Sequence, residues 1–193
     1  MQARHRRLLL ALCLSLGAHG LASAQGVPAY LLDQRGCGLL VDGSIGSTFA
    51  DAQVASMWQT INKAIGEHLQ DYLQQAKVKS QRLTVAVSQG PEAASLVMEA
   101  LAQHRCNRVV QIANDVGENA QGRYFGFVVS VIRMVPSSEP AGEGVVNTTA
   151  RSEFAKTYRF PRTQEAFDAF YTGEFAFKVY GDLAASGALD AMR

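Results

Sequence analysis

The sequence is poor in the residues that catalysis uses most: 4 His and 3 Cys among 193 residues. His5, His19 and Cys13 fall within residues 1–24, which leaves His68, His104, Cys37 and Cys106 for the rest of the chain. Those four could act as soft metal ligands, but none has zinc-motif spacing. No nucleophile elbow is present: in Asp42-Gly43-Ser44-Ile45-Gly46, Asp42 stands where Gly-x-Ser-x-Gly has its first glycine. The loop Gly43–Thr48 resembles part of a phosphate loop but lacks the Walker lysine. No cofactor and no metal are implied, and an enzyme is the less favoured reading.

Charge of one sign is also lacking. The 18 Lys and Arg nearly balance 17 Asp and Glu, and no basic patch stands out, so nucleic acid is not an expected partner. After residue 24 no apolar run approaches the roughly 20 residues that cross a bilayer, so no transmembrane span is expected there. No fixed-period repeat and no second domain are apparent.

What is present begins with residues 1–24, which read as a secretory signal peptide. Arg4, Arg6 and Arg7 precede an apolar run from Leu8 to Ala18, and Ala22-Ser23-Ala24 supplies the small-x-small cleavage pattern. Leu12 before Cys13 argues against a lipobox. Cleavage would remove three arginines and no acids, taking the formal charge from +1 to −2. The location expected is periplasmic or secreted, and an oxidising compartment favours a Cys37–Cys106 disulfide.

Residues 25–36 read as a lead-in, 37–183 as a single α/β domain and 184–193 as a fraying tail. The first strand is Gly38–Asp42. Val54, Met57, Trp58, Ile61, Ile65, Leu69, Tyr72 and Leu73 then recur at three- and four-residue steps, the stripe of a long helix opened by Thr48 and Asp51 as a capping box. Leu83–Val87 is a second strand. Pro91 starts a helix with Ala93, Val97, Ala100 and Leu101 on one face, and Arg108–Ala113 is a third strand. Asn114–Arg123 reads as a polar loop. Tyr124–Val135 and Val145–Phe160 read as a hairpin joined by a flexible turn, Pro136–Gly144. In the second hairpin strand Phe154, Tyr158 and Phe160 share one face, with Arg151, Glu153 and Arg159 on the other. Thr163 can cap a last, aromatic helix that Gly173 and Gly181 could break.

The order β-α-β-α-β-β-β-α, with right-handed crossovers, predicts a five-stranded mixed sheet in the order 2-1-3-4-5 with helices packed on it. The cysteines support this arrangement. Cys37 sits just before the first strand and Cys106 just before the third, so parallel neighbours bring them to one end of the sheet. Disulfide Cα atoms lie about 5–6 Å apart, close to the strand spacing of about 4.8 Å.

Leu39-Leu40-Val41 before the long helix, Cys106-Asn107-Arg108-Val109-Val110-Gln111-Ile112 after the second helix, and the pair Phe125–Met134 with Val145–Phe160 carry a resemblance of topology. Over Cys37 to about Leu183 the chain resembles the periplasmic α/β domain at the amino terminus of TolB, in CsgG and in the lipoprotein LpoB. The resemblance implies an envelope adaptor with a protein partner. The Pro-Phe that often ends the first strand of that group is absent, and no functional residue carries over.

Two candidate sites remain. Asp42, Ser44 and Ser47 form a possible ligand loop after the first strand, where open α/β sheets place ligands. Phe167, Phe170, Tyr171 and Phe175 form a possible partner surface on the last helix. The function expected is an exported, non-catalytic cell-envelope protein that binds another protein as an adaptor. The alternative is a periplasmic small-ligand binder or hydrolase that uses the loop after the first strand.

Overall fold

A computed structural model describes residues 27–43, 51–86, 89, 92–137 and 147–193. The expected signal segment, the expected loop members Ser44, Ser47 and Thr48, and most of the hairpin turn lie outside the described residues. The elements are α1 (Ala29–Leu32), β1 (Gly38–Gly43), α2 (Ala52–Gln75), β2 (Ser80–Val85), α3 (Ala93–His104), β3 (Arg108–Asn114), β4 (Gly117–Asn119), β5 (Gly122–Pro136), β6 (Thr148–Pro161), α4 (Gln164–Asp168) and α5 (Thr172–Ala185).

The expected α/β sheet is observed. β1 lies between β2 and β3, all three parallel; β5 runs antiparallel to β3, and β6 antiparallel to β5. Cys37 and Cys106 stand at disulfide distance beside the start of β1 and β3, with Cα atoms 4.5 Å apart. Arg105 ends α3 in the left-handed conformation and turns the chain so that Cys106 follows directly. Extended strands present alternate residues to opposite faces, which divides the core in two. Leu40, Val110, Ile112, Phe125, Phe127, Val129 and Val131 pack against Trp58, Ile65, Leu69 and Leu73 of α2 and Phe175, Val179 and Leu183 of α5. Leu39, Val41, Val85, Val109 and Met134 pack on the other face with Leu31 of α1 and Ala100 and Leu101 of α3.

Four local expectations are corrected. Asp51 itself caps α2, its carboxylate accepting from the backbone N–H groups of Gln53 at 2.7 Å and Val54 at 3.0 Å. The polar stretch after β3 is not all loop: Gly117–Asn119 forms β4 against the start of β5, and Gly122 takes the positive φ that this tight reversal needs. The aromatic helix is two helices, broken at Ala169–Tyr171 rather than at a glycine; Thr163 caps the first of them, accepting from the Ala166 N–H.

The expected fraying tail is the fourth. Ala188, Leu189 and Met192 are buried in the larger core. The Lys79 N–H donates to the Met192 carbonyl at 2.6 Å, and the Met192 sulfur covers Gly38. Small residues look like a frayed end in sequence, yet here they carry the chain to a backbone contact at Lys79, just before β2.

Candidate functional site

At the C-terminal end of β1, Asp42 is fully buried rather than open to a loop. Arg82 from the neighbouring β2 reaches it through Nε at 2.6 Å. The same guanidinium donates to the Lys63 carbonyl at 3.1 Å and to Glu67 at 3.4 Å, which fixes α2 over the strand ends. Gly66 makes this possible: a Cβ there would overlap the Asp42 carboxylate. Asn62, one helical turn earlier, is also fully buried and donates to the Gly43 carbonyl at 2.6 Å. The second carboxylate oxygen of Asp42 has no hydrogen-bond partner among the described residues. Thr84 stands opposite Asp42 in register and, with Arg82, favours its charged form.

Burial is the largest influence on Asp42 and raises its pKa despite Arg82. The stability contributed by a raised carboxyl is fully present below its unfolded value and is lost as pH rises through the folded one. Replacing Asp42 with Asn removes that titration. The unfolding free energy of the native protein relative to Asp42→Asn is therefore expected to fall as pH rises above the ordinary value of 3.8. Urea titrations of both proteins across the acid range test this; a constant difference would show that Asp42 does not titrate as described.

A second polar cluster lies at the opposite end of the same strands. Arg108 is 1% exposed. Its guanidinium donates to Glu153 at 2.8 and 3.3 Å, to Asn107 Oδ1 at 2.9 Å and to the Gln34 carbonyl at 3.1 Å. Asn107 in turn donates to the Asp33 carbonyl at 2.6 Å, and Arg133 donates to Gln34 Oε1 at 2.6 Å. The lead-in is thus bound to the sheet by side chains and is not a loose connector. Gly36 is required in it, because a Cβ there would overlap the Asn107 amide.

Glu153 reaches Arg108 through a β-bulge. Val131 faces Phe154 and Ile132 faces Ser152, so Glu153 is the extra residue. The expectation that Glu153 lies on the face opposite Phe154 is corrected: the bulge breaks the two-residue alternation and turns its carboxylate to the buried arginine. Arg151, upstream of the bulge, pairs with Arg133 and so shares the face of Phe154 as well.

The expected partner surface divides. Phe175 is 4% exposed and belongs to the core. Phe167 stacks on Phe125 at 4.2 Å and Phe170 stacks on Phe127 at 5.5 Å, so both are half-buried in an aromatic cluster around Trp58 and Phe160. Only Tyr171 of the four is exposed, at 63%. The sequence reading missed Phe177, exposed at 60%, whose ring meets Tyr72 of α2 at 5.4 Å. Tyr72 also meets Tyr180 at 6.0 Å. These three rings form a ridge along the α2–α5 seam. The spacing of Phe177 and Tyr180, one turn apart on a helix whose inward positions are Phe175, Ala176, Val179 and Leu183, is the signal that could have found it.

No family model and no curated protein matches this chain. Among solved structures, it is similar to a dodecamer of a PelC variant from Paraburkholderia phytofirmans, with 13% identity and a TM-score of 0.35 over 79% of this chain and 88% of that one.

Two further groups of ionisable side chains pair within the fold. Tyr158 donates to Asp182 at 2.7 Å, and Lys156 meets the same carboxylate at 2.8 Å. Burial pushes the Tyr158 hydroxyl well above its ordinary range, while Lys156 and Tyr158 hold Asp182 below the usual carboxylate value. Arg159 pairs with Asp115 at 2.8 Å and lies over the Tyr124 ring. His68 and His104 are exposed. Among the described residues no three of His, Cys, Asp or Glu converge as a metal site, and no helix is long and apolar enough to cross a membrane.

Proposed function

We propose that this chain is an exported, periplasmic or secreted cell-envelope protein that binds another protein as an adaptor and catalyses no reaction. The observation that carries the binding role is the Tyr72–Phe177–Tyr180 ridge, where Phe177 is 60% exposed on α5. Tyr and Phe are enriched at protein interfaces because they bury large area and, in Tyr, retain a polar handle. The Cys37–Cys106 pair supports an oxidising compartment. The signal-like residues 1–24 and the resemblance to the TolB, CsgG and LpoB domain point the same way. The alternative use of the loop after β1 is weakened because Asp42 is sealed between Arg82 and Gly66.

The test is photo-crosslinking in cells from a probe placed at Phe177. A discrete adduct with another envelope protein is expected, and Tyr180→Asp in the probe-bearing chain should abolish it without unfolding the chain. Recovery of the protein alone, where known envelope complexes are captured, would overturn the reading.

A further inference from the structure

β6 is an edge strand of 14 residues. One side pairs along its length with β5; among the described residues no strand pairs with the other. The hydrogen-bond phase shows which groups face outward. The Arg162 N–H donates to the Arg123 carbonyl, next to the Tyr124–Pro161 register pair. Hydrogen-bonded and non-hydrogen-bonded pairs alternate along an antiparallel ladder. Phe160, Tyr158, Lys156 and Phe154 therefore turn their backbone groups to β5, while Arg159, Thr157 and Ala155 turn theirs outward. Pro161 falls on the outward phase, where its missing N–H removes nothing from the β5 ladder.

The charge along this edge has one dominant sign. Arg151, Lys156, Arg159 and Arg162 accompany a single acid, Glu153, which is already bound to Arg108. Lys156 and Arg159 have internal carboxylate partners. Arg151 and Arg162 have no ion pair among the described residues. The register places Arg151, Lys156 and Arg162 on one face of the sheet, since their partners Arg133, Val129 and Arg123 alternate in step. Phe154, Tyr158 and Phe160 lie between them on that face, so a strand laid beside β6 would meet cations only at those three positions. A second copy of β6 would bring the same positive row against itself, which opposes self-pairing.

We propose that the outer edge of β6 receives, by strand addition, an extended segment of a partner protein whose acidic side chains are spaced to meet Arg151, Lys156 and Arg162. The ladder from Ala155 to Arg159 supplies the main-chain hydrogen bonds, and the cations select the acidic face. This deepens the adaptor reading and rests on it for the existence of a protein partner; it assigns a surface separate from Phe177.

The test uses the full chain and labelled peptides of about twelve residues, long enough to lie beside Arg151 and Arg162 at once. One peptide alternates threonine and glutamate, one alternates threonine and lysine, and one is the acidic peptide interrupted by proline. Fluorescence anisotropy is expected to show binding of the first alone, with protection of the Ala155, Thr157 and Arg159 amides from exchange. Thr157→Pro, which removes an outward donor only, and Arg151→Glu with Arg162→Glu should each weaken binding at least about tenfold, a loss of about 1.4 kcal/mol. The charge variant keeps the test valid if the proline variant does not fold. Equal binding of the lysine peptide, unaltered binding by the charge variant, or concentration-dependent pairing of the protein through β6 would each overturn the proposal. A Phe177 adduct formed by the wild-type chain, alongside any of those three results, would leave the adaptor reading standing while the β6 assignment fell.

Discussion

Arg108→Ala is expected to lower the unfolding free energy by about 3–5 kcal/mol, the usual cost of removing one member of a buried ion pair. The guanidinium is 1% exposed and is the donor for four acceptor atoms on Glu153, Asn107 and Gln34. Removing it leaves those acceptors without their partner and leaves a void beside Asn107. The Glu153 side chain is 24% exposed, so water can relieve part of its charge, and the lower end of the range applies. Urea unfolding measures the total. Hydrogen exchange locates it, with the largest new exposure expected in the lead-in Asp33–Gly36. A loss below about 1 kcal/mol, the size of an ordinary surface change, would refute the structural weight given to this arginine.

Removing the Cys37–Cys106 link, by reduction or by Cys37→Ala with Cys106→Ala, is expected to cost about 4 kcal/mol on the chain-entropy account of a 69-residue separation. Unfolding curves with and without reductant check the value, and labelling of the denatured, unreduced protein should find no thiol at either position. The two perturbations act on one end of the sheet: Cys37 and Cys106 flank the strand starts that Asn107 and Arg108 tie to the lead-in. Combined, they should destabilise by less than the sum, because sites that share partners are not additive. Strict additivity would mean that the disulfide and the arginine act on different parts of the fold.

The order of the three parallel strands was legible because two cysteines preceded two apolar runs, and only adjacent parallel strands bring those positions within bonding reach. The inward faces of β5 and α2 were legible because Phe125, Phe127, Val129 and Val131, and Trp58, Ile65, Leu69 and Leu73, keep their periods unbroken. The bulge at Glu153 was not. An inserted residue changes every face assignment upstream, and nothing in the local composition marks it. Nor was the role of Asp42, which depends on the coincidence of Gly66 on a helix and Arg82 on another strand. β4 was hidden because its three residues are polar and owe their pairing to the reversal at Gly122. Which aromatics face outward was not legible either: α5 turns Phe175 inward and Phe177 outward, and Phe167 and Phe170 precede it in α4 and in the break.

Met192 sets the order in which the fold can be completed. β1 is the central strand of the parallel triad, yet its first residue, Gly38, is covered by the Met192 sulfur, and β2 is approached by the Met192 carbonyl through Lys79. Contacts so far apart in sequence carry a loop-closure cost that slows folding. During synthesis β1 and β2 can pair early, but their shared end remains open to solvent until residue 192 has been made. The N-terminal end of the β1–β2 pair is therefore among the last places to become dry, and it is there that a protease would find the unfinished chain.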